Sequence, residues 1–213
     1  MALSTYADLQ TSIADFANRS DLGSKIPSFI QLVEARLNRE IFSRFQHKRV
    51  TANTTSGDPF VSLPTDLREI KTIRINSNPR VVLANMTLNN LDITYSSASG
   101  GTPVAYAIVS DNIKLSHTPS SVIELEMIYS AQISALSDSN TNNVILLRHP
   151  DVYLYGALMH LSTYLLDETK ARSYDELYTR AIQEINTSLD KEKFGSSLAM
   201  KDDYTIQLTK LQG

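Results

Sequence analysis

Asn142-Asn143-Val144-Ile145-Leu146-Leu147-Arg148-His149-Pro150-Asp151-Val152-Tyr153-Leu154-Tyr155-Gly156-Ala157-Leu158 is the stretch on which the fold turns. A short apolar run stops at His149-Pro150-Asp151, and a long helix begins there. Proline suits a first helical turn because its missing N–H would be unpaired anyway, and Asp151 complements the positive end of the helix. Behind it Val152, Tyr155, Met159 and Leu166 form one stripe, and Leu154, Leu158, Leu161 and Leu165 a second. With about half its surface apolar, a helix over roughly 150–167 is predicted to pack on more than one neighbour. It is specified for packing and carries no recognisable chemistry.

Outward from this helix, both ends of the chain read as helical. Thr5-x-x-Asp8 predicts a capped first helix with Tyr6, Leu9, Ile13 and Phe16 on one face. A second helix starts near Pro27 and runs to about Phe45, with Ile30, Val33, Leu37 and Ile41 in register. From about Ala171 to Phe194, Tyr174, Leu177, Tyr178, Ala181, Ile182, Ile185 and Leu189 recur at helical spacing. The middle differs. Residues 48–132 are rich in Val, Ile, Thr, Ser and Asn and hold five of the seven prolines, which leaves room for short strands and little else. Candidate strands are 50–54, 60–63, 69–75, 104–109, 113–116 and 122–129. Ser110-Asp111-Asn112 and Thr118-Pro119-Ser120 are expected to turn two hairpins, and 86–93 is a short helix or a loop. The expected fold class is α+β: an antiparallel helical bundle from 1–47 and 133–194, an inserted β-rich domain over 48–132, and an extended C-terminal arm over 195–213.

The bulk properties restrict the function classes. At 213 residues the chain can bury a substantial core. Its 42% apolar and 20% charged residues describe a soluble globular protein. No apolar run is long enough to span a membrane, and the first residues lack a secretory pattern. A net charge of −3 gives no global electrostatic case for nucleic-acid binding. The absence of cysteine excludes disulfides, thiolate nucleophiles and cysteine metal sites.

Candidate sites follow from local patterns. His149 beside Pro150 and Asp151 invites a catalytic dyad, but His47, His117, His149 and His160 show no ligand spacing, and His149 reads as a residue at a helix start. Neither a nucleophile elbow nor a phosphate loop is present, so no enzyme activity, cofactor or metal is expected. Arg36, Arg39, Arg44, Lys48 and Arg49 form a candidate phosphate- or partner-facing basic cluster. The competing reading is a solvated face with local ion pairs, favoured because no aromatic stacking pattern accompanies it. Gly156 inside a helix signals either close approach by another backbone or simple tolerance. In the tail, Tyr204, Ile206 and Leu208 alternate with period two and Leu211 follows, a candidate partner-docking arm. A lone apolar strand needs an edge on its own domain or on another chain; otherwise it is a frayed terminus. Only 12 charged residues lie between 50 and 131, which suits surfaces buried against neighbours and ordinary β surfaces alike.

Several elements occur together in a known order: Tyr6-x-x-Leu9, Asp21 to Ile30 with its Ile-Pro-x-Phe-Ile, Glu34 to Glu40, Leu63-Pro-x-Asp-Leu67, Gly101-x-Pro-x-x-Tyr106, and the His149 to Leu158 block. In these the chain resembles the head-to-tail adaptor (connector) proteins of short-tailed bacteriophages; beyond Gly195 no family pattern is matched. The resemblance implies a structural virion protein at the head-to-tail interface, assembled in the host cytoplasm. It would form a ring, typically a dodecamer, under the portal protein, extend the DNA channel used in DNA ejection, and dock the tail nozzle and tail fibre proteins. Genomic DNA would pass transiently, and no membrane is involved. A related connector such as a head-completion or stopper protein, or a nucleic-acid-binding module using the basic cluster, is the alternative.

Overall fold

The computed structural model describes residues 3–19, 21–41, 46–96 and 100–194; the expected arm, with Tyr204, Ile206, Leu208 and Leu211, and Arg44 lie outside the described residues. Among the described residues, six helices and two four-stranded sheets make a mixed α+β fold. In chain order the elements are α1 (Tyr6–Ala17), α2 (Ile26–Glu40), β1 (His47–Asn53), β2 (Phe60–Ser62), β3 (Leu67–Ile75), β4 (Val81–Val82), β5 (Ala84–Asn85), α3 (Leu88–Thr94), β6 (Ala105–Val109), β7 (Asn112–Leu115), β8 (Glu124–Ala131), α4 (Val144–Arg148), α5 (Pro150–Tyr164) and α6 (Glu168–Phe194). They divide into two compact units, one from the chain before Gln46 and after Gln132, the other Gln46–Gln132.

In the helical unit, α1 begins with the reciprocal cap its sequence predicts. Asp8 N–H donates to the Thr5 hydroxyl at 3.2 Å, and Thr5 N–H donates to the Asp8 carboxylate at 3.1 Å. Tyr6, Leu9 and Ile13 are buried, but Phe16 is 60% exposed, because in the last turn it edges an open cleft with Leu165 and Tyr174. Along α2, Ile26, Phe29, Ile30, Val33 and Leu37 face the core. This helix ends at Glu40 rather than near Phe45, because Ile41 turns to extended backbone. The apolar run before Pro150 is itself a short helix, α4, whose first turn is capped by the Asn143 side chain.

Pro150 occupies the first turn of α5, and Val152, Tyr153, Leu154, Ala157, Leu158 and Leu161 are buried around it. The helix packs on α6, α2, α1 and α4, as its two stripes require. Each fully buried aliphatic side chain contributes roughly 1.5–3 kcal/mol. It stops at Tyr164, short of 167. Leu166 takes a left-handed conformation (φ 60) and is 87% exposed, so it does not extend the Val152 stripe. In α6, Tyr178, Ala181, Ile182, Ile185 and Leu189 supply the facing surface.

The β unit holds sheets of order β1-β8-β3-β4 and β2-β7-β6-β5. Alternation along β8 sends Leu125, Met127, Tyr129 and Ala131 into a core shared with Ile73 and Ile75 of β3, Tyr106 of β6 and Ile113 and Leu115 of β7. Ser110 (φ 52) turns β6 into β7, the expected hairpin. The segment Thr118-Pro119-Ser120 makes no second hairpin. It carries the chain from one sheet to the other, where β8 pairs antiparallel with β1 and β3. Eight-residue β8 finds nearly full-length partners there, which four-residue β7 could not supply. Of the segment 86–93, the part from Leu88 on belongs to a helix, α3, capped by Thr87.

Candidate functional site

The described members of the basic cluster divide between the units, and Arg36, Lys48 and Arg49 carry carboxylate partners. On α2, the Arg36 guanidinium donates to Glu40 at 2.8 Å and to Asp175 of α6 at 2.9 Å, and lies 4.2 Å from the centre of the Tyr178 ring. Tyr178 O–H donates to Glu40 at 2.9 Å, which closes the group. Arg36 thus ties α2 to α6, and a phosphate would have to displace two carboxylates. Arg39 sits exposed in the last turn of α2. On β1, Lys48 pairs with Asp66 at 2.6 Å and Arg49 with Glu126.

Glu126 escaped the sequence reading, although a carboxylate at an outward position of an apolar strand is a visible signal. It is fully shielded from solvent, flanked on its sheet by Arg49 of β1 and Arg74 of β3. Burial alone would raise its carboxyl, but hydrogen bonds from Arg74 and Arg49 outweigh this and hold it below its ordinary value. The arrangement joins three strands electrostatically; each arginine keeps an exposed flank, Arg49 the larger at 61%.

A second polar group sits inside the helical unit. Glu34, at a core position of α2, accepts the Leu136 N–H at 2.7 Å and the Tyr153 O–H at 3.4 Å. Asn143 donates to the Tyr153 oxygen at 2.7 Å and to the Ser134 carbonyl at 2.9 Å, and accepts the Leu146 N–H at 2.9 Å. Burial raises the Glu34 carboxyl above its ordinary value. The network anchors the 133–143 connection to α2 and α5. Its signal in the sequence is Glu34 itself, on the stripe of Ile30 and Leu37.

The histidines form no catalytic or ligand arrangement among the described residues. His149 closes α4 and opens α5 without a side-chain cap bond, and burial lowers its pKa. His160 on α5 is also lowered, first by burial and then by the Arg36 charge. Ser116 and His117 do meet, Oγ to Nδ1 at 3.0 Å, with His117 against the Tyr95 ring. The Ser116 oxygen already accepts the Val104 and Ala105 N–H groups, which occupies the lone pairs a nucleophile would use. Among the described residues, no three His, Asp or Glu side chains gather as a metal site, and no helix is long and apolar enough to cross a membrane.

Compared with known protein families, residues 4–201 match the family described as SU10 adaptor protein. No curated protein matches the chain.

Proposed function

The chain belongs to the SU10 adaptor protein family, a family of phage head-to-tail adaptors, and we propose that it serves in a short-tailed bacteriophage as the ring beneath the portal. In this reading copies of the chain, twelve in the simplest case, extend the DNA channel and offer docking surfaces to the tail nozzle and fibres. The observation that carries it is the extent of the family match, which runs through both units and nearly the whole chain. The electrostatics support a channel role. With a net charge of −3 and Arg36, Lys48 and Arg49 offset by carboxylates, the subunit would let DNA pass without gripping it.

The mechanism is geometric, since many weak identical contacts in a closed ring reinforce one another through effective concentration. No hydrolase or transferase turnover is expected, and a reproducible activity abolished by His149→Ala in folded protein would overturn the structural reading. The direct test is electron cryo-microscopy of the tail vertex of purified particles. Ring density between portal and tail, fitted by both units, is the expected result. Absence of the chain from particles, or a place elsewhere in the tail, defeats the proposal.

A further inference from the structure

One edge of the β unit is long, regular and open. β8 pairs with β1 over all seven residues, His47 to Asn53, in unbroken register. Among the described residues no strand lies on the other side of β1. Every residue of β1 except Ala52 is exposed, so the edge meets solvent. Lys48, Val50 and Ala52 stand opposite Tyr129, Met127 and Leu125, which belong to the core. Their face therefore continues the inner layer outward, and among the described residues it ends at Val50, 36% exposed. Proteins commonly guard such an edge with positive charge. Here Lys48 and Arg49 provide it at one end, each half or more exposed beside its carboxylate partner, Asp66 or Glu126, while Val50 to Asn53 carry none.

The C-terminal segment has the complementary pattern. Asp202-Asp203 precedes Tyr204-Thr205-Ile206-Gln207-Leu208, whose apolar residues alternate with polar ones. We propose that this segment of one copy adds as a strand, parallel to β1, on the open edge of a second copy. With Ile206 beside Val50, a parallel register sets Leu208 beside Ala52 and Asp203 beside His47 and Lys48. The apolar face then extends the inner layer, and Thr205 and Gln207 face the side of Arg49 and Thr51. An antiparallel register on the same pair would instead bring Lys210 to the basic end. The positive guard thus repels strands in general and admits one flanked by acids. Residues 195–203, beyond the end of α6, span at most roughly 30 Å when extended.

This inference rests on the ring reading in one respect, the choice of a neighbouring copy over the same chain. An arm on one side and an edge on the other make a head-to-tail contact, the kind that closes rings. The absence of cysteine makes the test direct. Full-length chains carrying Val50→Cys are mixed at high concentration with chains carrying Ile206→Cys and treated with a short bifunctional maleimide. Crosslinked pairs are expected, and Asp202→Lys with Asp203→Lys in the arm should lower their yield at least tenfold. These changes leave the described core untouched. A chain bearing both cysteines that links only within itself overturns the proposal, as does equal linking to Thr187→Cys on α6 as control. Negative-stain images of the chain on portal-bearing heads separate the two readings. Rings without the crosslink sink the arm and leave the ring standing; the crosslink without rings does the reverse.

Discussion

At Gly156 one missing methyl group decides the packing of three helices. A Cβ there would lie 2.9 and 3.0 Å from the two methyl groups of Val33 and 3.1 Å from the Tyr178 ring. Val33 and Tyr178 are both fully buried and cannot withdraw. Gly156→Ala would gain about 1 kcal/mol of helix propensity and lose roughly 1–3 kcal/mol to overpacking, so the melting temperature should fall. Adding Val33→Ala should recover part of the loss; a rise on Gly156→Ala alone would show that the contact is slack. The sequence left close approach by another backbone and simple tolerance both open; side chains of α2 and α6 fill the space instead. Asp66 is the second residue with a readable consequence. It accepts from Lys48 at 2.6 Å and from Tyr129 O–H at 2.9 Å. The Lys48 bond lowers its pKa, so its contribution is present above the ordinary value near ~3.9 and is lost as pH falls through the lower folded value. Tyr129 is pushed up to about 12, first by burial and then by Asp66. Its contribution is present below its ordinary range and lost as pH rises toward that value. Asp66→Asn should flatten the acid limb of melting temperature against pH and reduce, not remove, the alkaline one. Identical profiles from pH 3 to pH 11 would exclude the role.

Elements were legible where their signals are local. The Thr5 cap, the Pro150 start, the α6 stripe and the Ser110 turn each depend on residues within a few positions of one another, and each stands as read. Thr118-Pro119-Ser120 was not legible, because the same turn chemistry serves a hairpin and a crossing between sheets. The choice is made by β1 and β3, far away in the chain. The basic cluster failed to show its partners for the same reason: Asp175 lies 139 residues from Arg36. β4 and β5, with two residues each, are too short to carry any period. Asn143 is where local and distant terms meet, capping α4 while holding Tyr153 and Ser134. Asn143→Ala removes a cap worth about 1 kcal/mol and leaves the buried Ser134–Tyr153 side of the network short of donors, at roughly 1–3 kcal/mol more. Asn143→Asp keeps the cap but turns a carboxylate on the Ser134 carbonyl in a network that already buries Glu34, so it should cost at least as much as alanine. Urea midpoints at unchanged slope provide the measurement, and an alanine variant within 0.5 kcal/mol of the parent, the ordinary range for surface changes, would place the network outside the stability of the unit.

For the molecule as a whole, the order of short motifs along the chain was more informative than any single site, because the chemistry of an adaptor lies in surfaces that complete themselves on a partner. Those surfaces are also what set its assembly. One added strand on β1, with a few apolar contacts beside Val50 and a charge pair in solvent, is a small interface by the standards of stable dimers. Exposed charge pairs contribute at most about 1 kcal/mol and weaken with salt. Two free copies should therefore separate at nanomolar concentration. Subunits seated side by side on a portal meet at an effective concentration on the order of millimolar, where the same contact is occupied most of the time. The expectation is a monomer in dilute solution and a ring on portal-bearing heads, with the arm truncated after Phe194 giving sparse loading and an unchanged melting temperature. Mass photometry of the free chain and quantitative recovery on heads measure both halves. A stable ring of pure protein at nanomolar concentration would mean that the subunits hold one another through a far larger interface, and a truncated chain that melts early would mean that the arm belongs to its own core.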